Sequence, residues 1–125
     1  MTAKILVVDD EVNIRNLAQM ILEGEGYHVL TASDGDDALQ KVESEIPDLI
    51  FLDLRMPGKT GTEVCKILKS QDRTKHIPVI IFTASSYDFD KTVAEAGADG
   101  YFRKPFVTQT LLAEAKKRLE QAKAK

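Results

Sequence analysis

The chain alternates short, continuously apolar runs with longer segments in which apolar residues recur at helical spacing. Three runs, ILVV at 5–8, LIFL at 49–52 and VIIF at 79–82, are rich in branched and aromatic residues. Continuous apolar runs of this length are typical of parallel strands that are buried on both faces of a sheet. We therefore predict that these three runs are the central strands of a parallel sheet.

Two further runs have a mixed character that favours the edges of the same sheet. HVLTA at 28–32 and DGYFR at 99–103 combine polar with apolar positions. Strands that are partly open to water have this composition, whereas fully covered strands do not. The sequence therefore predicts five strands, two of them at the sheet edges.

Five other segments have the spacing of amphipathic helices. The fourth of these segments runs from about residue 87 to 96 and stops at Gly97. The apolar faces of the other four are marked by Ile14, Leu17, Ala18 and Ile21, by Ala38, Leu39, Val42 and Ile46, by Val64, Ile67 and Leu68, and by Leu111, Leu112, Ala115 and Leu119. Thr60, with Glu63 three residues on, has capping-box spacing at the start of the third helix. Five strands alternating with five helices predict one doubly wound α/β domain over residues 1–125, with helices on both faces of a parallel sheet.

Length, charge and hydropathy narrow the class of protein. A chain of 125 residues with 43% hydrophobic content fits one domain with a buried core and has no room for a second domain. With a net charge of -3, the chain lacks the excess of basic residues that is typical of nucleic-acid binders, so we expect no direct nucleic-acid contact. The chain has no apolar run of membrane-spanning length and no secretory signal, so we expect a cytoplasmic protein that binds no membrane. We expect the single cysteine, Cys65, to be a packing residue.

Residues able to carry chemistry follow four of the predicted strands. Asp9 and Asp10 come after the first strand, Asp53 after the third, Thr83 after the fourth and Lys104 after the fifth. The carboxyl ends of parallel strands meet at one edge of an open sheet, where ligands bind. The sequence therefore predicts that these side chains line one crevice.

Three carboxylates in one crevice repel one another unless a cation lies among them or protons are retained. A site in which the protein supplies only a few oxygen ligands suits Mg²⁺, because this ion keeps several water molecules and commonly bridges to phosphate. With Lys104 as a second positive charge, Asp53 is the natural acceptor in an in-line phosphoryl transfer. The hydroxyl of Thr83 would then bond to a phosphoryl oxygen and report that the site is occupied.

Each of these residues also has a simpler explanation. Asp10 precedes a helix and would serve as its N-cap. Asp9 and Asp53 would accept backbone hydrogen bonds at strand ends, Thr83 would be an ordinary strand residue, and Lys104 a solvated charge. Their common place at one sheet edge favours a functional site, because the opposite edge offers no equivalent ionisable set.

Four ordered motifs resemble the receiver domain of two-component response regulators: VVDDE at 7–11, DLRMPG at 53–58, Thr83 with Ala84, and KPF at 104–106. The resemblance covers essentially the whole chain. It implies a flavodoxin-like sheet with strand order 2-1-3-4-5. It also implies that Asp53 accepts a phosphoryl group from the phosphohistidine of a histidine kinase or a phosphotransfer protein.

The resemblance further assigns roles around Asp53. It implies that Mg²⁺ is bound by Asp9, Asp10, Asp53 and the backbone carbonyl of Arg55, and that Lys104 contacts the phosphoryl group.

It also implies a switch, in which Thr83 moves toward the modified aspartate and Tyr101 turns inward. The surface of the fourth helix, fifth strand and fifth helix would then change its preference for a downstream protein target. Arg55 and Ser85 occupy positions that influence the phosphoryl lifetime in this family; alternatively, Arg55 makes a surface ion pair of little value. Tyr101 has an alternative as an edge-strand aromatic with a solvated hydroxyl.

Three competing functions fit this chain less well. A phosphatase of the haloacid dehalogenase type places a second aspartate two residues after its nucleophile, whereas Asp9 and Asp10 are adjacent and position 55 is arginine. A flavodoxin-type module needs a hydroxyl- and glycine-rich phosphate loop where this chain has acidic residues. A degenerate receiver would bind partners without phosphorylation. We predict a phosphorylatable signalling domain that is not an enzyme beyond slow self-dephosphorylation.

Overall fold

The computed structural model describes residues 2–54, 56, 58–83, 94–103 and 108–123. The strands are β1 Lys4–Val8, β2 His28–Ala32, β3 Leu49–Asp53, β4 Val79–Thr83 and β5 Gly100–Arg103. All are parallel, in the order β2-β1-β3-β4-β5. The structure confirms the predicted strands, their order, and the edge positions of β2 and β5.

The helices lie between and after these strands, as predicted. Their bounds are α1 Val12–Gly24, α2 Gly35–Glu45, α3 Gly61–Lys69 and α5 Thr108–Lys123. Residues 94–96, which we label α4, are the described end of the predicted fourth helix, and Gly97 follows them with a φ of +79°. Residues 87–93 of that helix lie outside the described residues. Among the helices that the structure describes, none is both long and apolar enough to cross a bilayer.

Apolar layers cover both faces of the sheet. Successive strand side chains point to opposite faces, so neighbouring residues enter different layers. Leu6 and Ile50 pack with the buried residues of α2 and α3, whereas Ile5 and Phe51 pack with those of α1 and α5. These four side chains are at most 1% exposed. The central strands are therefore buried on both sides.

Local capping decides where the helices begin. Thr60 accepts a hydrogen bond from the Glu63 backbone N–H, and the Glu63 side chain bonds back, so the predicted capping box is present at α3. At α1 the N-cap is Glu11, whose side chain makes no capping bond. The simpler explanation of Asp10 as the helix cap is therefore wrong.

Cys65 lies in the core, as expected for a packing residue. Its side chain is buried among the apolar residues between the sheet and α3. Burial raises the pKa of the thiol to about 11, with Lys69 lowering it and Asp99 raising it. The thiol is therefore protonated at neutral pH, which does not suit a nucleophile.

Candidate functional site

Three carboxylates meet at the carboxyl edge of the sheet, at the ends of the central strand β3 and its neighbour β1. Asp53 is the last residue of β3 and Asp9 follows β1, whose Val8 pairs with Leu52. One oxygen from each of Asp9, Asp10 and Asp53 lies within 4.8 Å of the others. We call these three residues the acidic cluster; its convergence was predicted from the strand ends and is observed.

The acidic cluster is mostly sheltered from water. Asp9 is fully buried, Asp53 is 4% exposed, and Asp10 is exposed at the mouth of the crevice. Like charges in such a setting raise one another's energy, and a cation relieves this cost. The residues fit Mg²⁺, because ligand oxygens about 2.1 Å from the ion lie roughly 3 to 4 Å apart and a cluster within 4.8 Å needs only small adjustments.

Backbone and side-chain bonds hold Asp9 in place. Its N–H donates to the Ala32 carbonyl at 3.1 Å, and its Oδ1 accepts the Glu11 N–H at 2.9 Å. Its own carbonyl accepts a bond from Arg15 Nη1 at 2.7 Å. Arg15 was missed from the sequence, although a basic residue in the first turn of a helix opposes the helix dipole and is a signal of another role.

The start of α3 packs directly against the backbone of Asp53. The Gly61 N–H donates to the Leu54 carbonyl at 2.9 Å, and a Cβ placed on Gly61 would lie 2.1 Å from the Asp53 carbonyl oxygen. Only glycine permits this approach. Gly61 was also missed; the available signal was a poor helix former directly after the Thr60 cap.

The other predicted site residues are described only in part. Thr83 ends β4, next to the Asp53–Phe82 pair of β3 and β4, so its backbone lies at the same edge; its side chain is outside what the structure describes. Tyr101 lies on β5, paired with Ile81, and is 43% exposed. The predicted site residues Arg55, Ser85 and Lys104 lie outside the described residues, so their roles stay predictions.

Known proteins are similar to this chain in sequence and in fold. The family model for the response regulator receiver domain matches residues 5–116. The alkaline phosphatase synthesis transcriptional regulatory protein PhoP of Bacillus subtilis is 49% identical over 117 residues, covering 93% of this chain and 48% of that protein. The chain therefore spans about half the length of this curated relative.

Solved structures agree with the family model. A CheY-like response regulator receiver domain protein from Methanospirillum hungatei gives a TM-score of 0.92 at 30% identity, covering 99% of this chain and 98% of that one. The chemotaxis protein CheY4 of Vibrio cholerae gives 0.88 at 36% identity, covering 94% and 98%. Sequence and fold together show that the chain belongs to the family of response regulator receiver domains, the signalling domains of two-component systems.

Proposed function

We propose that Asp53 accepts a phosphoryl group from the phosphohistidine of a histidine kinase or a phosphotransfer protein. The observation that carries this proposal is the acidic cluster, with carboxylate oxygens of Asp9, Asp10 and Asp53 within 4.8 Å of one another at the carboxyl edge. Asp53 ends the central strand β3 and is 4% exposed, so a phosphoryl group on it would be largely shielded from water.

The transfer is a displacement at phosphorus. A carboxylate oxygen of Asp53 forms the new P–O bond while the P–N bond to the donor imidazole breaks. The electron pair of that bond stays on the imidazole nitrogen, which takes up a proton. The product is an aspartyl phosphate, and no oxidant or reductant takes part.

Asp9, Asp10 and Asp53 are the residues that would hold Mg²⁺, with the backbone carbonyl of Arg55 as the fourth protein ligand expected in this family. The bound cation offsets negative charge on the phosphoryl oxygens. The hydrogen bonds that the N–H and Oδ1 of Asp9 make with backbone groups hold its carboxylate in place for the cation. Lys104 follows β5 in the chain, and we assign it the contact with the phosphoryl group.

The test is phosphorylation by Mg²⁺ and a small acyl phosphate, read by intact mass. Wild type should gain one phosphoryl mass and Asp53→Asn none. Asp48→Asn is the matched control, because Asp48 is an acidic residue at the opposite edge of the sheet, and it should be labelled like wild type. Equal labelling of wild type and Asp53→Asn would put the acceptor elsewhere, and no labelling of wild type would favour a degenerate receiver.

Phosphorylation would change the surface formed by α4, β5 and α5, and with it the affinity for a downstream protein target. Tyr101 on β5 is 43% exposed, which gives it a position from which to turn inward. We assign Thr83, at the end of β4, to the contact that triggers this change. Hydrogen exchange along β5 should change on phosphorylation of wild type and stay constant in Asp53→Asn.

Hydrolysis of the aspartyl phosphate would be the only catalysis, and it would be slow. Arg55 and Ser85 are two residues beyond the acceptor and two beyond Thr83. We propose that the long side chain of Arg55 hinders the attacking water. Decay of phosphorylated Arg55→Ala should then be faster than that of wild type, and an unchanged or slower decay counts against this role.

A further inference from the structure

Arg15 reaches back from α1 to the start of the acidic cluster. Its Nη1 donates to the Asp9 carbonyl at 2.7 Å, through a bond that is partly buried. The bond spans six residues of sequence and closes the turn between β1 and α1. A long side chain that is ordered over this distance loses rotamer entropy, so the bond has to return a comparable stabilisation.

The position of Arg15 is unfavourable for α1 itself. Arg15 is the fourth residue of the helix, where the dipole disfavours a cation. The first turn of α1 has no acidic residue, and the N-cap Glu11 makes no side-chain capping bond. When a helix departs from its local sequence preferences without becoming more stable, the departure commonly serves a neighbouring site. Here the neighbouring site is the β1–α1 turn.

The bond from Arg15 completes a set that fixes the main chain around Asp9. The Asp9 N–H donates to the Ala32 carbonyl of β2, and the Glu11 N–H donates to Asp9 Oδ1. The Arg15 bond then orients the peptide unit between Asp9 and Asp10, because it is the carbonyl of that unit that accepts it. The direction in which the Asp10 side chain leaves the backbone depends on that peptide unit.

We propose that Arg15 is a positioning residue for the cation site, an inference that rests on the proposed function. Through the Asp9 carbonyl, it holds the carboxylates of Asp9 and Asp10 in the orientation that binds Mg²⁺. Its positive charge has the opposite effect, because a fixed cation near the site repels Mg²⁺. The proposal is that orientation outweighs repulsion, so the two effects predict opposite signs when the side chain is removed.

The experiment is a calorimetric titration of the full chain with Mg²⁺ alone. Arg15→Met removes both charge and donor and should bind Mg²⁺ about tenfold more weakly, the lower end of what outer-shell partners contribute. Arg15→Lys keeps a charged donor and should recover part of the affinity. Arg73→Met is the matched control: Arg73 is 66% exposed and pairs with Glu43 at 3.4 Å, after the end of α3, and its loss should leave the affinity unchanged.

The outcomes separate this inference from the proposed function. Unchanged or tighter Mg²⁺ binding by Arg15→Met, with wild type binding normally, overturns the role of Arg15 alone. Absence of Mg²⁺ binding by wild type overturns the cation site and this role with it. Circular dichroism establishes that each variant is folded; if Arg15→Met is not, Arg15→Gln takes its place, with weaker binding supporting the role and unchanged or tighter binding overturning it.

Discussion

The two edges of the sheet organise charge in opposite ways. At the carboxyl edge, the acidic cluster gathers three like charges within 4.8 Å. At the amino edge, where the strands begin, Lys69 Nζ lies 2.7 Å from Asp99 Oδ2 and also donates to the Ile77 carbonyl at 2.8 Å. On the same edge, the Lys4 N–H donates to Asp48 Oδ2 at 2.8 Å.

This contrast separates stability from function within one fold. Opposite charges and satisfied carbonyls at the amino edge lower the energy of the folded chain. Like charges at the carboxyl edge raise it, which is tolerable where a ligand later offsets the cost. We expected no equivalent ionisable set at the amino edge. That edge does carry charged side chains, so the edges differ in the arrangement of charge rather than in its presence.

The largest expected effect is at the carboxyl edge, from Gly61→Ala. The added Cβ would lie 2.1 Å from the Asp53 carbonyl oxygen and 2.9 Å from the Leu54 Cα. Both neighbours are backbone, so the start of α3 has to shift away from β3. We expect a loss of about 3 kcal/mol or more in the free energy of unfolding, at the upper end for overpacking. Urea unfolding measures it.

Gly24→Ala is the matched control for that substitution. A Cβ at Gly24 meets nothing within 4 Å, and the residue is the last of α1. Alanine favours helix over glycine, so we expect a free energy of unfolding between unchanged and about 1 kcal/mol higher. Equal losses in both variants would mean that close packing at the carboxyl edge is not what Gly61 provides.

Most of the fold could be predicted from the sequence, because the central strands are continuously apolar and the helices have regular spacing. Val79–Thr83 and Leu49–Asp53 were found within one residue of their bounds. The convergence of Asp9, Asp10 and Asp53 followed from strand ends in a parallel sheet. The family match also excludes the haloacid dehalogenase and flavodoxin alternatives.

What could not be predicted depends on distances between elements. Gly61 is essential to packing only because α3 begins against the backbone of β3. Arg15 contributes because its side chain folds back to the Asp9 carbonyl; its place in the first turn of α1 hints at a role outside the helix but does not name the partner. The pairing of Lys69 with Asp99 joins residues 30 apart in sequence. Hydrophobic periodicity carries no information on such contacts.

At the amino edge, Lys69→Met should have the next largest effect. Lys69 donates to Asp99 and to the carbonyls of Lys75 and Ile77, and its side chain is 18% exposed. Its removal leaves sheltered acceptors with one partner fewer, so we expect a loss of about 1 to 3 kcal/mol in urea unfolding.

Lys75→Met is the control for Lys69→Met. Lys75 Nζ pairs with Asp72 at 3.1 Å, but the two side chains are 60% and 96% exposed. Exposed pairs are screened and contribute little, so the change should stay within about 0.5 kcal/mol. A loss as large as that of Lys69→Met would show that exposure does not decide the value of charge pairs at this edge.

Mg²⁺ should distinguish the two edges directly. Wild type in Mg²⁺ at ten times its dissociation constant should gain about 1.4 kcal/mol in the free energy of unfolding. Asp10→Asn should lose most of this gain, and without Mg²⁺ it should be slightly more stable than wild type, because one repelling charge is gone. Asp48→Asn should be less stable than wild type and keep the full gain. A full Mg²⁺ gain in Asp10→Asn would contradict the cation site.

The smallest expected effect is the pH dependence of stability that comes from Cys65, whose thiol lies between the two edges. Burial raises the pKa of its thiol from 9.0 to about 11, with Lys69 lowering it and Asp99 raising it. Because the folded pKa is above the unfolded one, the contribution of the thiol to the free energy of unfolding is fully present below pH 9 and is lost as the pH rises toward 11. Between pH 8 and 10, wild type should lose about 1 kcal/mol more than Cys65→Ala, a difference that cancels the lysine and tyrosine titrations common to both.

Lys69 and Asp99 at the amino edge both act on the pKa of the Cys65 thiol, so this pH dependence also tests the amino edge. Lys69→Met removes the cation that lowers the pKa of Cys65, so the excess loss of stability relative to the same variant with Cys65→Ala should continue to a higher pH than in wild type when the series is extended to pH 11. Asp10→Asn acts at the other edge and should leave the excess unchanged. If both substitutions alter it equally, the two edges are electrostatically coupled through the core, and the separation of stability from function fails.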